Sequence, residues 1–87
     1  MGLLIIHHRV RDYEAWRPAY DAHEPMRNSA DLTSGRVFRA TDDPNDLVIL
    51  FDMADRQKAQ DFVASDDLRS AMQGAGVEGR PEIYYLE

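Results

Sequence analysis

His7–Arg27 reads HHRVRDYEAWRPAYDAHEPMR and joins the end of an apolar strand to a helix. It holds all three histidines, the only tryptophan, two of the four tyrosines and four of the nine arginines of the 87-residue chain. Just upstream, Leu3, Leu4, Ile5 and Ile6 are consecutive, so the strand expected over Leu3–Val10 is apolar on both faces, as buried strands are. His7 and His8 continue that strand, and the alternation of side chains sends them to opposite faces. Asp12 is a good helix N-cap, and Glu14 adds favourable charge in the first turn. Tyr13, Trp16, Tyr20, His23 and Arg27 then recur at helical spacing, which places them on one face of a helix predicted over Tyr13–Asn28. Pro18 and Pro25 interrupt it, because each removes a backbone hydrogen bond and crowds the turn before it. A kink or a short first turn is expected before Pro18.

The remaining chain completes the pattern. Leu32–Thr41 (LTSGRVFRAT) and Leu47–Met53 (LVILFDM) read as strands joined by a turn at Asp42–Asn45, hence an antiparallel hairpin. Asp55 caps a second helix with Ala59, Phe62 and Val63 as its buried stripe. Ser65-Asp66-Asp67 breaks that helix and caps a further piece bearing Leu68, Ala71, Met72 and Ala75. Gly74, Gly76, Gly79 and Pro81 suggest an irregular loop before a last strand, Glu82–Leu86. The order β-α-β-β-α-β predicts a ferredoxin-like α+β fold over residues 1–87, one domain, with a four-stranded antiparallel sheet and the helices on one face. Two strands apolar on both faces would then leave an apolar sheet face open. Monomers rarely tolerate such a face, so a homodimer is expected whose two sheets close into a barrel-like body.

Composition excludes several classes. With sixteen acidic against ten basic residues and a net charge of −6, the chain repels phosphate backbones, so nucleic acid is not an expected partner. The RNA-binding module shares this topology, but its glycine-aromatic signature is missing from strand three. No cysteine is present for a disulfide or a thiolate metal site. The apolar run at the start is too short for a signal peptide or a membrane span, which points to a cytoplasmic protein with no membrane partner. No HxH, HxxxH or HExxH spacing supports a metal site.

The run His–x–Val–x–Asp–Tyr from His8, then Trp16, Tyr20, His23 and Arg27, followed by Gly35-Arg-Val-Phe-Arg39, Asp43-Pro44-Asn45, Ala75-Gly-Val and Pro81-Glu-Ile-Tyr, resembles small bacterial proteins of the dimeric α/β-barrel superfamily. The closest resemblance within it is to antibiotic-biosynthesis-monooxygenase-like domains, and it spans nearly the whole chain. That resemblance implies an enzyme acting without an organic cofactor on a small aromatic or enolisable ligand, in the manner of quinone-forming monooxygenases or polyketide cyclases. It equally admits a non-catalytic homodimeric binding or stress-response module, since function is not read from fold. Two departures stand out. The quinone-forming oxygenases use Asn and Trp on other elements, whereas here the one Trp is on helix one and Asn occurs only at 28 and 45. The haem degraders place a ligating His on the second helix, where this chain has none.

The candidate site follows from the residues. Histidine is the side chain most easily tuned for proton transfer near neutral pH, so His8 and His23 are the candidate acid–base groups. Arg27 is the candidate for holding an enolate or carboxylate oxygen. His7, Trp16, Tyr20 and Arg36 are expected to line the same ligand pocket between helix one and the sheet. Which of His7 and His8 faces it is left open by alternation alone. The competing reading is an aromatic core stripe capped by a hydrogen-bonded histidine. Asp52, interrupting an apolar strand, is expected as a buried carboxylate paired with Arg36.

Overall fold

The computed structural model describes residues 2–87. Four strands, β1 (Gly2–Val10), β2 (Leu32–Ala40), β3 (Asp43–Met53) and β4 (Val77–Leu86), form one antiparallel sheet in the order β2-β3-β1-β4. Four helices connect them: α1 (Tyr13–Ala22), α2 (Glu24–Ser29), α3 (Arg56–Val63) and α4 (Asp66–Ala75). With the helices taken in pairs this is the ferredoxin-like β-α-β-β-α-β arrangement, as expected.

The core lies between the helices and one face of the sheet. Leu4, Ile6, His8 and Val10 of β1 alternate inward and meet Leu47, Ile49, Phe51 and Met53 of β3, with Trp16, Ala59 and Ala75 closing over them from the helices. The pairing Leu4↔Phe51 and Ile6↔Ile49 keeps these residues on one face across the two central strands. The other face carries Leu3, Ile5, Val48 and Leu50, half-buried, and Phe38, Tyr84 and Leu86, exposed.

Both helix starts inferred from Asp55 and Ser65 are present. Asp55 accepts a bond from the Lys58 amide at 3.1 Å, and Ser65 Oγ accepts one from the Leu68 amide at 3.1 Å.

Three local expectations are corrected. The single helix predicted over Tyr13–Asn28 is two helices that part at His23, not a helix kinked before Pro18. Pro25 falls in the first turn of α2, where its missing N–H has no intrahelical partner to lose, whereas the bond lost at Pro18 lies among exposed residues that solvent can serve. The turn placed at Asp42–Asn45 is confined to Thr41-Asp42, and β3 starts at Asp43. Pro44 is tolerated there because the β2–β3 register slips between Arg39 and Ala40. The loop expected over Gly74, Gly76, Gly79 and Pro81 is instead the end of α4 followed directly by β4. Gly76, at φ 85°, ends α4, and Gly79 and Pro81 sit in a bulge where β4 shifts register against β1 between His7 and Arg9.

Candidate functional site

A cavity of about 60 Å³ opens between the sheet and helices α1 and α4. Its walls are mostly apolar: Ile6, Ile49, Phe51, Phe62, Leu68 and Met72. Its polar lining is His8, His23, Arg27 and Tyr20, with Trp16 between them. Five of the seven residues singled out from sequence therefore meet here. The other two do not. His7 faces the opposite side of the sheet, and so does Arg36, which pairs loosely with Asp52 (Nη2 to Oδ1 3.9 Å). Asp52 is half-exposed on that open face, not buried, because it lies out of phase with Phe51 and Met53. The alternation that separates His7 from His8 thus assigns the cavity to His8.

His8 is buried beneath Trp16, the two rings meeting edge to face at 5.9 Å. Burial pushes its pKa down to about 4, so the imidazole is neutral at pH 7. Its Nδ1 has no hydrogen-bond partner, the one buried side-chain polar atom so placed among the described residues. His8 lines the cavity, and a buried ring nitrogen without a partner is unused hydrogen-bonding capacity.

From His8 an aromatic row runs outward. Trp16 stacks on Tyr20 at 4.8 Å, and the Arg27 guanidinium lies over the far side of the row, 3.9 Å from the Tyr20 ring centre. Arg27 is 7% exposed. Its Nη1 donates to the Tyr20 carbonyl at 2.7 Å, at the C-terminal end of α1, where the helix dipole favours a cation. Among the described residues no carboxylate pairs with it within 4 Å. Desolvation lowers its pKa, yet a guanidinium stays charged at any working pH. Burial likewise raises the pKa of Tyr20, which is a neutral phenol here.

His23 is placed differently. It joins α1 to α2, packs against Phe62 and lies 3.2 Å from Asp67 Oδ2 on α4. It borders the cavity while tying two elements together, so it combines the candidate role with the structural one.

Gly35, Ser34 and Thr33 were not among the site residues expected from sequence. They line a second, polar cavity of about 120 Å³ that shares Tyr20, Arg27 and Phe51 with the first. A glycine inside a strand pattern was the available signal, since it marks a bulge or a close approach. Here it marks both. The β2–β3 register shifts between Thr33 and Arg36, Ser34 stands at φ 54°, and a Cβ on Gly35 would meet Tyr20 Oη at 2.5 Å.

No family model and no curated protein matches the sequence. Solved structures do match. A candidate antibiotic biosynthesis monooxygenase from Bordetella bronchiseptica superposes with a TM-score of 0.77 at 15% identity, covering 100% of this chain and 97% of that one. SnoaB, a cofactor-independent oxygenase from Streptomyces nogalater, gives 0.71 at 9% identity over 95% and 89% of the two chains. Rv0793 from Mycobacterium tuberculosis gives 0.66 at 15% identity over 100% and 94%. No helix among the described residues is long and apolar enough to cross a membrane. In the course of its four strands and the helices laid over one face of their sheet, the chain has the fold of the antibiotic biosynthesis monooxygenases.

Proposed function

We propose that the protein is a small-molecule enzyme of the cofactor-independent monooxygenase or cyclase kind, acting on an aromatic or enolisable substrate in the cavity between α1 and the sheet. The observation that carries this reading is the juxtaposition of a neutral, unpartnered imidazole and an unpaired guanidinium in one apolar cavity. His8 takes a proton from the substrate. Arg27 holds the negative charge on the substrate oxygen. A neutral histidine with so low a pKa is a weak base when the site is empty, but an anion formed beside it stabilises the imidazolium and raises that pKa. Trp16 and Tyr20 flank the ring, and His23 closes the α4 side. SnoaB, of the same fold, is a cofactor-independent oxygenase, which agrees with this kind of chemistry.

Oxygen uptake with anthrone-like and enolic substrates tests the proposal. Turnover is expected, reduced by about 100-fold or more in His8→Leu, the usual range for a lost acid–base group. Tight binding with no turnover of any such substrate would instead identify a non-catalytic binding module.

The open sheet face supports a homodimer. Phe38, Tyr84 and Leu86 are exposed there beside Leu3, Ile5 and Leu50, and a second copy of the same face is the self-complementary cover a two-fold axis provides. Sedimentation at micromolar concentration should show the dimer, and a well-folded monomer would refute it. His7 and Arg36, placed by the fold on that face, would then belong to the interface and not to the cavity.

A further inference from the structure

The two cavities share one partition. Tyr20 and Arg27 line both, with Phe51 behind them. On one side the wall is apolar and the space is small; on the other, at the β2 bulge, the wall is polar and the space about twice as large. We propose that this is a two-part site for an aromatic carboxylic acid: the ring enters the apolar cavity and its carboxylate sits in the β2-bulge cavity on Arg27. The inference rests on the reading of the apolar cavity as a ligand site and adds the class of group that Arg27 recognises.

Charge accounting leads to the carboxylate. Buried charges are ordinarily paired, because desolvation leaves an unpaired ion strongly disfavoured. The polar cavity contains two arginines and two carboxylates. Arg17 is committed to Asp21, Nε to Oδ1 at 3.1 Å. Arg27, the more buried of the two arginines, donates a hydrogen bond only to a backbone carbonyl and lies over the Tyr20 ring; Glu24 and Asp21 attract it, but among the described residues neither forms an ion pair with it. A guanidinium has five N–H donors in a planar fork that matches a carboxylate, and most of that capacity is unused here.

The bulge supplies the room. With no side chain at Gly35, Tyr20 Oη packs directly on the strand, and Phe51 would stand 2.9 Å from any added Cβ. Ser34 and Thr33 border the same cavity at the bulge. Gly35 is therefore a positioning residue for Tyr20.

The test compares benzoate, methyl benzoate and p-cresol by titration into isotopically labelled wild-type protein at pH 7, following amide shifts. Benzoate is expected to bind at least ten-fold more tightly than its ester. Arg27→Met should bring the two to parity, and Arg27→Lys should restore part of the preference. Gly35→Ala should weaken benzoate more than the ester by displacing Tyr20. The wild-type comparison stands even if a variant misfolds. Equal binding of acid and ester overturns the carboxylate site while leaving the apolar cavity a ligand site. Preference for p-cresol overturns it in favour of a neutral hydroxyl. Failure of all three to bind overturns both readings.

Discussion

Two histidines stand next to each other on β1 and live in opposite environments. His8 faces the helices, buried against Trp16, with its Nδ1 unpartnered and its pKa pushed down to about 4 by desolvation. His7 faces the open side of the sheet, where Nε2 donates to Asp46 at 2.7 Å and Nδ1 lies 3.2 Å from Glu82. The Asp46 hydrogen bond, reinforced by the charges of Asp46 and Glu82, raises its pKa. One residue of sequence separates an imidazole kept neutral from one encouraged to charge. The difference separates the two faces of this sheet: an apolar cavity wall on one side, an apolar surface studded with paired charges on the other.

Substitution of large aromatics sharpens the contrast most. Trp16→Ala removes a buried ring from the cavity wall and should lower unfolding stability by about 3–5 kcal/mol in urea titrations. Phe38→Ala, on the open face, should leave the stability of a single subunit within about 0.5 kcal/mol while weakening self-association in sedimentation. Equal losses at the two positions would mean that the faces are not distinct.

The pH dependence comes next in size. A histidine whose folded pKa lies below its unfolded value contributes stability that is present above the unfolded value and lost as the pH falls toward the folded one. For His8 that window runs from about pH 6.5 down to about 4, and between pH 7 and pH 5 the loss should be about 2 kcal/mol. His8→Leu should flatten the acid side of the stability profile, and an unchanged profile would contradict the burial argument. His7 has the opposite sign. Its raised pKa contributes stability below pH 6.5 that is lost as the pH rises through the folded value. His7→Asn should therefore destabilise more at pH 6 than at pH 9, and by less than the His8 effect, because the His7 pair is partly exposed to solvent.

Much of the architecture was legible in residue patterns. Consecutive Leu3–Ile6 and the LVILFDM run marked strands apolar on both faces, Asp12, Asp55 and Ser65 marked helix starts, and helical spacing put Trp16 and Tyr20 on one face of α1, at the cavity that His23 and Arg27 also reach. These are local signals. Side-chain period and capping chemistry act within one or two turns of the chain, so they can be read before the chain folds.

What only the tertiary structure decided depends on which segments lie side by side. Alternation separates His7 from His8, but the helices had to be laid on one face before either could be called buried. Arg36 was expected in the interior and lies on the open face instead, because the register of β2 against β3 shifts at the bulge after Thr33; it meets Asp52 there, which simple alternation along β3 turns away from the core. The same bulge makes the polar cavity beside Arg27, from residues distant in sequence. Sequence spacing determines which side chains share a face of one element. The desolvation that lowers the pKa of His8 and of Arg27 arises only where several elements exclude water together.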